Sequence, residues 1–397
     1  MPAAQLTNTL RRRHRVLLIG QDYFVVPELE RALRALGVAV AVLPFAQNAA
    51  FVRQLLLATA SFRPSFILTV NHVGLDGQGH VLDLLRSARA PLASWFVDNH
   101  ETYLQRPAAP DARLMVFTWN PESVAALDGG LVPRAQYLPL GADPGVFAPA
   151  NPTNPTEDAH GVGFVGGTWA ANLARTMRAG RFPATFLRRY RELGALLAAE
   201  PDLGAEACLR RHAPELWEEI AAANPEGRAL HLELLRQEAT RLHRLRAVRA
   251  LLPLRPVIAG SRLWERMLGP GAAGRFTWRP GPVYGPELAA FYRSLAVNVN
   301  ITSLKSRASL NQRVFDAPLC GGFLLTEASE ALAQCFESGV EAACYKGPED
   351  LAEQARHWLA DAAGRVRTVR AAQKRILAEH TYAHRAARII ETMDAAF

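Results

Sequence analysis

The first half of the chain alternates short apolar runs with longer stretches of helical pattern. The runs are rich in Val, Ile, Leu and Phe, and each one ends in polar residues or glycine. Buried runs separated by helical stretches are typical of βα units around a parallel sheet. The predicted strands are RVLLIG, VAVAVLPF, FILTVN, PLASWFVD, LMVFTWN and AQYLPLG.

Polar residues follow several of these strands. In open α/β sheets the carboxyl ends of the strands form the ligand crevice, so the residues that follow them are candidate site residues. Polar residues are also common in any loop, and this second interpretation stays open. The candidates are Gly20-Gln21-Asp22, Asn71-His72, Asp98-Asn99-His100 and Asn120.

A segment dense in Pro, Asn, Asp and Gly, GADPGVFAPANPTNPTEDAH, separates the two halves of the chain. Such residues terminate regular structure and predict an exposed linker. The next strand, GVGFVGGT, is followed by a long Ala-, Leu-, Glu- and Arg-rich stretch without strand pattern, which predicts a helical insertion. The strand pattern then resumes with PVIAG, RFTWRPG, LAVNVNIT, GFLLTE and AACYKG.

These patterns predict two α/β domains joined by a linker. The predicted bounds are 1–145 for the N-terminal domain, 146–160 for the linker, 161–380 for the C-terminal domain with its insertion at 170–254, and 381–397 for a C-terminal helix.

Length and composition limit the class of protein. The chain has 397 residues, of which 49% are hydrophobic and 21% charged, and this balance favours a folded protein of two domains. No run approaches the roughly 20 apolar residues of a membrane span, and the run after Arg11 is too short for a signal peptide, so we expect a cytoplasmic protein. The four cysteines lack metal-site or disulfide spacing, and we expect reduced, mostly buried thiols.

The formal charge of +8 comes mainly from arginine and suits an anionic substrate, an anionic membrane surface, nucleic acid or a merely basic exterior. The arginine-rich segment RLHRLRAVR in the insertion has three interpretations: a solvated helix face, a subunit contact, or a platform for an acidic polymer or membrane headgroups. Weak peripheral membrane association therefore stays open. Recognised nucleic-acid motifs are lacking, so we predict no nucleic-acid partner.

The stretch SLNQRVFDAPLCGGFLLTE carries the strongest candidate site. Ser309 and Gln312 fit a capping box, which predicts a helix from Leu310 with backbone N–H groups suited to a phosphate. Lys305 and Arg307 lie just before it and would form a diphosphate clamp. A capped surface helix with an Arg313–Asp316 ion pair is the alternative.

The turn FVGGTW is the second candidate. Gly166 and Gly167 follow a buried strand, where a missing side chain lets the backbone approach a ligand. The chain contains neither a GxGxxG fingerprint nor a GxxxxGK[ST] loop, which argues against a dinucleotide oxidoreductase and a nucleoside triphosphatase.

In this order the segments resemble glycosyltransferases of the GT-B fold, and among them the CgeB-like (spore-maturation protein-like) branch. The resemblance covers residues 135–169 and 255–395 well, is weaker before them and is absent over the insertion. It is carried by YLPLGADPGVFAP, PVIAGSRLWE, FTWRPGPVYGPELAAFYRSLAVNVNIT, NQRVFDAPLCGGFLLTE and HTYAHRAARII. It implies two Rossmann-like domains facing a central cleft, with the C-terminal helix packing back on the first domain.

The resemblance also implies roles for residues of this chain. Asp316 falls where the family binds the donor ribose, and Arg279 to Tyr284 fall where a loop holds the base. The turn from Ser309 through Leu310 and Asn311 to Arg313 falls where the diphosphate is held. Retaining relatives carry a Glu-x7-Glu pattern, whose first position here is Ala308, so the stereochemical outcome stays open.

The implied reaction is sugar transfer from a nucleoside diphosphate donor, with a UDP-sugar favoured, to a hydroxyl of a protein or surface glycan. In this fold helix N-termini and cations stabilise the leaving diphosphate, so no metal or other cofactor is expected. We assign that task to Arg307, Asn311 and Arg313. Inversion would need a base from the first domain, for which Asp98 is the first candidate and His100 the second.

A catalytically silent GT-B-like module that binds a sugar or nucleotide during surface-structure assembly is the alternative function. Its support is the shortened acid at Asp316 and the missing first glutamate.

Overall fold

A computed structural model describes residues 14–21, 25–104, 106–151 and 160–397. Asp22 and the linker residues 152–159 lie outside these ranges. The chain divides into two compact units. The first unit comprises Met1–Pro144, Ala308–Phe315 and Lys374–Phe397, and the second comprises Gly145–Arg307 and Asp316–Gln373.

The first unit is built on a parallel sheet whose central strands are buried on both faces, as their continuous apolar runs require. Within the described residues its strand order is β2-β1-β3-β4-β5-β6. The strands are β1 (Arg15–Gly20), β2 (Ala39–Pro44), β3 (Phe66–Val70), β4 (Leu92–Phe96), β5 (Leu114–Thr118) and β6 (Ala135–Tyr137). The helices are α1 (Val25–Ala35), α2 (Ala49–Phe62), α3 (His80–Ser87) and α4 (Val124–Leu127).

The second unit repeats the architecture. Its parallel sheet has the order β12-β11-β10-β7-β8-β9 in the described part of the chain. The strands are β7 (His160–Val165), β8 (Val257–Ala259), β9 (Thr277–Arg279), β10 (Leu295–Asn300), β11 (Leu324–Glu327) and β12 (Ala343–Tyr345). Each lies within a run that the sequence pattern predicts as a strand, except that β7 begins one residue earlier, at His160.

The stretch between β7 and β8 is helical, as predicted. The 27-residue helix α9 packs along α6, and the insertion has its own apolar core, which includes Phe186, Leu193 and Leu235. The helices are α5 (Ala170–Ala179), α6 (Ala184–Ala199), α7 (Ala205–His212), α8 (Pro214–Ala221) and α9 (Pro225–Leu251).

The remaining helices follow the second half of the sheet and end the chain. They are α10 (Leu263–Leu268), α11 (Pro286–Arg293), α12 (Arg313–Leu319), α13 (Glu330–Cys335), α14 (Pro348–Ala360), α15 (Ala362–Glu379) and α16 (Tyr382–Ala396).

The C-terminal helix α16 packs on α1 of the first unit, as predicted. The buried Arg385 guanidinium anchors it by donating to the carbonyl oxygen of Leu140 at 2.8 and 3.1 Å. The chain rejoins the first unit at Lys374, and the segment 308–315 also belongs to that unit. The sequence-based bounds place residues 308–315 and 374–380 in the C-terminal domain. Those bounds divide the chain into contiguous pieces, so they cannot assign a later segment to the first unit.

All four cysteines are free thiols, and Cys208, Cys320 and Cys335 are buried. Burial raises the pKa of Cys320 to about 12, so its thiol stays protonated at neutral pH. In the described ranges, no helix has the length and apolar character needed to cross a bilayer.

Candidate functional site

The strand order of the second sheet reverses at β7, which lies between β10 and β8. Open α/β sheets bind ligands outside the carboxyl ends of the strands at this kind of position. Gly166 and Gly167 follow β7, and Ile301 follows β10. The reversal point therefore lies where the sequence places its glycine turn.

The two glycines of this turn differ in their surroundings. A Cβ on Gly166 would lie 2.7 Å from the Phe164 ring, and its carbonyl accepts a hydrogen bond from the Trp264 indole at 2.9 Å. A Cβ on Gly167 would meet nothing within 4 Å. Gly166 therefore serves packing, whereas Gly167 presents backbone to open space.

Arg244, from the last third of α9, spans the reversal point. Its Nη1 donates to the carbonyl oxygen of Gly167 at 2.9 Å, and its Nη2 lies 3.5 Å from the carbonyl oxygen of Ile301. The guanidinium carbon is 5.7 Å from the centre of the Trp169 ring. A permanent positive charge is thus held between the ends of β7 and β10.

The sequence interpretation did not assign this residue. From the sequence, RLHRLRAVR is interpreted only as a solvated face, a contact or a platform, and the first cation after FVGGTW along the chain is Arg175. The tertiary structure supplies a cation from 77 residues further along the chain. The arginine-rich segment was the available signal, but nothing local told which of its arginines faces the sheet.

Lys305 and Arg307, the predicted diphosphate clamp, both form ion pairs in the structure. The ammonium of Lys305 lies 2.8 Å from a carboxylate oxygen of Glu233, and Arg307 lies 3.3 Å from Asp202. Both partners come from the helical insertion. These ion pairs tie the loop after β10 to the insertion, and a diphosphate would have to compete with Glu233 for Lys305.

A buried histidine–carboxylate contact lies at the end of β11. Nε2 of His243, on α9, is 3.2 Å from Oε2 of Glu327, and both side chains are less than a tenth exposed. Thr240, one turn earlier on the same helix, approaches the Ser303 hydroxyl at 3.4 Å. The insertion thus contributes one polar face of α9 to the carboxyl edge of the sheet.

Arg279 ends β9, and Tyr284 lies in the loop that follows. The Tyr284 ring packs edge-on against Phe147 with the ring centres 5.2 Å apart. Strand β9 is separated from β7 by β8, so it lies about 10 Å from β7 across the sheet. With a diphosphate at Gly167, the loop after β9 would lie at the distance of the base of the same nucleotide.

The predicted capping box does not form. Helix α12 begins at Arg313 rather than Leu310, and the Gln312 amide donates to the carbonyl oxygen of Gly141 and accepts from the Tyr382 hydroxyl. The glutamine is therefore committed to long-range partners. The Ser309 hydroxyl is buried and has no hydrogen-bond partner among the described residues.

The other residues of this segment are distributed between the two units. Ser309, Leu310, Asn311 and Arg313 belong to the first unit, and Asp316 belongs to the second. Leu310 is an apolar buried residue. Asp316 is 1% exposed, so its carboxylate is enclosed by protein rather than presented on an open surface.

In the first unit, Asn71 and Asp98 connect the ends of β3 and β4. The Asn71 amide donates to Oδ2 of Asp98 at 3.0 Å, and its oxygen accepts from the backbone N–H groups of Val97 and Asp98. Asn71 has a φ of 52° and His72 a φ of 55°, a left-handed conformation that is uncommon outside glycine. Backbone held in this way orients the Asp98 carboxylate, which is a requirement for a positioned base.

His72 follows Asn71 and is buried beneath this edge. Its Nδ1 hydrogen-bonds the Ser94 hydroxyl, its ring lies 4.7 Å from the Phe96 ring, and its Nε2 has no partner in the described part of the chain. Burial lowers the pKa of His72 to about 3, so the imidazole is neutral at physiological pH.

His100 lies in a short 3₁₀ turn after β4 and is 7% exposed, with its ring 6.3 Å from that of Phe96. The Tyr103 hydroxyl has a raised pKa because of burial and the nearby Asp98 carboxylate. Asp98 is more exposed than His100, which makes it the more accessible of the two predicted bases.

Comparisons with known proteins agree with this architecture. Residues 236–391 match the model of the glycosyl transferase-like family. No curated protein matches the chain.

Solved structures match along most of the chain at low sequence identity. Sucrose-phosphate synthase from Thermosynechococcus elongatus is 13% identical, covers 97% of this chain and 100% of its own, and has a TM-score of 0.57. HepE from Anabaena in complex with UDP is 12% identical, with 97% and 100% coverage and a TM-score of 0.54. A glycosyltransferase from Rickettsia africae is 8% identical, with 97% and 99% coverage and a TM-score of 0.51.

At these identities the structural matches show the fold alone. The predicted fold of two Rossmann-like parallel-sheet domains is confirmed. The chain has the GT-B fold of glycosyltransferases, and its segment 236–391 carries the pattern of the glycosyl transferase-like family.

Proposed function

We propose that this protein is a glycosyltransferase of the CgeB-like branch, a hexosyltransferase-like enzyme that moves a sugar from a UDP-sugar to a hydroxyl of a protein or surface glycan in the cytoplasm. The observation that carries the proposal is Arg244 beside Gly167 at the strand-order reversal of the second sheet. Backbone open to a ligand and a fixed guanidinium are what a diphosphate needs. The complexes of HepE with UDP and UDP-glucose support the choice of donor.

In this proposal the leaving diphosphate binds against Gly167 and is neutralised by Arg244. Because an arginine already supplies the charge that a metal would supply, we propose that transfer needs no metal. Ser309 is a further donor-binding residue proposed from the sequence. The further donor-binding residues proposed from the sequence are Arg279, Tyr284, Lys305, Arg307, Leu310, Asn311, Arg313 and Asp316.

Asp98 is the proposed base. A carboxylate that is held by Asn71 and not fully buried can accept the proton of an acceptor hydroxyl as that oxygen attacks the anomeric carbon. His72 is proposed to hold the neighbouring Asn71 in place, as a buried and neutral ring that hydrogen-bonds Ser94.

The test compares UDP, GDP and ADP as ligands by calorimetry, and then follows UDP-sugar hydrolysis in the absence of acceptor with and without EDTA. We expect selective UDP binding and slow hydrolysis that EDTA leaves unchanged. Binding without hydrolysis of any UDP-sugar would favour the silent binding module, and the absence of nucleotide binding would overturn the proposal.

A further inference from the structure

Trp169 lies in the second unit, just after the glycine turn that follows β7, and its backbone has a φ of 65°. This is the left-handed region, in which a bulky residue is an outlier because its Cβ approaches the backbone too closely. Residues held in such conformations persist where the surrounding structure fixes them, and they cluster at ligand-binding sites. The strain at Trp169 therefore indicates a site, and the surroundings of its ring tell which one.

Burial around this turn is the reverse of what side-chain polarity predicts. Thr168 is 2% exposed, and its hydroxyl accepts a hydrogen bond from the backbone N–H of Ala170 at 3.3 Å. Trp169, the larger and more apolar residue, is only half-buried. One exposed aromatic ring alone needs no explanation, but here the polar neighbour is buried and the ring is held out on strained backbone. The turn thus keeps part of the indole accessible to a ligand.

The indole N–H also distinguishes Trp169 from tryptophans that have a packing role. The N–H groups of Trp95, Trp264 and Trp278 donate to backbone carbonyl oxygens at 3.0, 2.9 and 3.2 Å. The N–H of Trp169 has no such partner in the part of the chain that the structure describes, and it is not enclosed by protein. This donor is therefore left to water or to a ligand.

The neighbours of the ring place it at the ligand edge of the second sheet. The guanidinium carbon of Arg244 lies 5.7 Å from the centre of the ring, and the same guanidinium donates to the carbonyl oxygen of Gly167 at 2.9 Å. Gly167 is exposed, and a Cβ there would meet nothing within 4 Å. The indole, the guanidinium and the open backbone thus lie together at the end of β7, where a ligand can reach them.

The strand order tells which part of a nucleotide-sugar meets the ring. In the order β10-β7-β8-β9, the loop after β9 lies on one side of Gly167, and Ile301, which follows β10, lies on the other. With the base at β9 and the diphosphate at Gly167, the sugar continues towards β10. Arg244 reaches to 3.5 Å from the Ile301 carbonyl oxygen on that side. The ring beside Arg244 is therefore within reach of the group that follows the diphosphate, whereas the base lies two strands away.

Building on the proposed function, we propose that Trp169 is the platform on which the donor sugar stacks, and that it selects a neutral pyranose. A pyranose has a face of C–H groups and a rim of hydroxyls, which match the apolar face and the N–H donor of an indole. The face of the ring carries the negative part of its quadrupole and disfavours a carboxylate against it. Trp169 thus determines the specificity for the sugar, while Arg244 binds the diphosphate.

Calorimetric titration of the wild type and Trp169→Asn tests the proposal. Asparagine tolerates the left-handed conformation, so this change removes the ring and keeps the backbone. The ligands are UDP, UDP-glucose, UDP-galactose, UDP-N-acetylglucosamine and UDP-glucuronic acid. We expect at least one neutral UDP-sugar to bind roughly 10-fold more weakly to the variant, because a stacking contact and a hydrogen bond are lost, while UDP affinity changes by less than about twofold.

Trp169→Phe keeps an aromatic face and removes the N–H, and it should weaken binding of the same UDP-sugar about threefold. Trp217→Phe is the matched control. Trp217 is also half-buried, with the Arg210 guanidinium 5.1 Å from its ring centre, but it lies on α8 of the insertion. This control should bind every ligand as the wild type does. Should Trp169→Asn fail to fold, the two phenylalanine variants carry the comparison.

Equal losses of UDP and UDP-sugar affinity would overturn the proposal, because the ring would then serve the base or hold Arg244 in place. Unchanged binding of every neutral UDP-sugar, or a loss confined to UDP-glucuronic acid, would overturn it as well. If the wild type binds neither UDP nor any UDP-sugar, the proposed function fails and the role of Trp169 falls with it. The two kinds of failure are therefore told apart by the titrations of the wild type.

Discussion

The guanidinium of Arg244 donates to the carbonyl oxygen of Gly167 across 2.9 Å, although 77 residues separate the two in the chain. This bond joins the helical insertion to the glycine turn after β7. It places a fixed positive charge beside backbone that is open to a ligand, and the proposed donor site depends on it.

Replacing Arg244 by alanine is expected to weaken UDP binding about 10- to 100-fold, because a charge-assisted contact to phosphate is lost. Calorimetric titration measures the change. Arg246→Ala, an exposed arginine two residues later on the same helix, is the control and should bind UDP as the wild type does. Equal affinity in the two variants would remove Arg244 from the site.

The two glycines of the turn should respond differently to alanine. Gly166→Ala places a methyl group against Phe164 and should lower the free energy of unfolding by about 1–3 kcal/mol. Gly167→Ala meets no protein atom within 4 Å and should fold normally but lose UDP affinity. Urea denaturation and UDP titration together check both. Normal UDP binding by Gly167→Ala would mean that no ligand approaches this backbone.

Asp98→Asn is expected to slow transfer to the acceptor about 100- to 10,000-fold while UDP affinity stays unchanged, since the amide cannot accept the hydroxyl proton. Initial rates with a UDP-sugar and an acceptor measure the effect. Asp111→Asn is a suitable control because its carboxylate is exposed and pairs with Arg86. An undiminished rate in Asp98→Asn would exclude this carboxylate as the base.

Asp316→Asn separates a ligand role from a structural one. If the carboxylate holds the ribose, UDP affinity should fall about 10-fold with little change in melting temperature. If the enclosed carboxylate instead only stabilises the fold around α12, the melting temperature should fall while the UDP affinity of the folded fraction is kept. The low exposure of Asp316 makes this comparison necessary.

His72 should make stability depend on pH. Its folded-state pKa of about 3 lies below the ordinary value of 6.5, so the unfolded chain binds the proton more readily than the folded protein. The stabilising contribution of the neutral ring is complete above about pH 6.5 and declines below it, by up to about 1.4 kcal/mol for each pH unit, until about pH 3.

Denaturation of the wild type and His72→Gln at pH 7 and pH 5 checks this expectation. The variant should lose less stability on acidification than the wild type. His80→Gln, in which an exposed histidine is replaced, should behave as the wild type does. A wild-type loss equal to that of His72→Gln would show that the buried ring is not the cause.

The strands of both sheets could be predicted from the sequence because they lie in short runs rich in apolar residues, a local pattern that is present in the buried central strands and in the more exposed edge strand β2 alike. The glycine turn after β7 and the polar residues after β3 and β4 followed from the same reasoning, since parallel strands end at one edge. The prediction that a helix begins at Leu310 was wrong. Gln312 matches a local capping motif, but its side chain forms hydrogen bonds with Gly141 and Tyr382, which lie far away in sequence.

By itself, the sequence determined the two parallel sheets, the helical nature of the insertion and the sheet edges at which polar residues lie. Only the tertiary structure decided which side chains meet there. The polar face of α9 brings Arg244 and His243 to the second sheet, and the ion pair with Glu233 occupies Lys305. These contacts depend on how the insertion packs, and packing over such separations has no periodic signature in the chain.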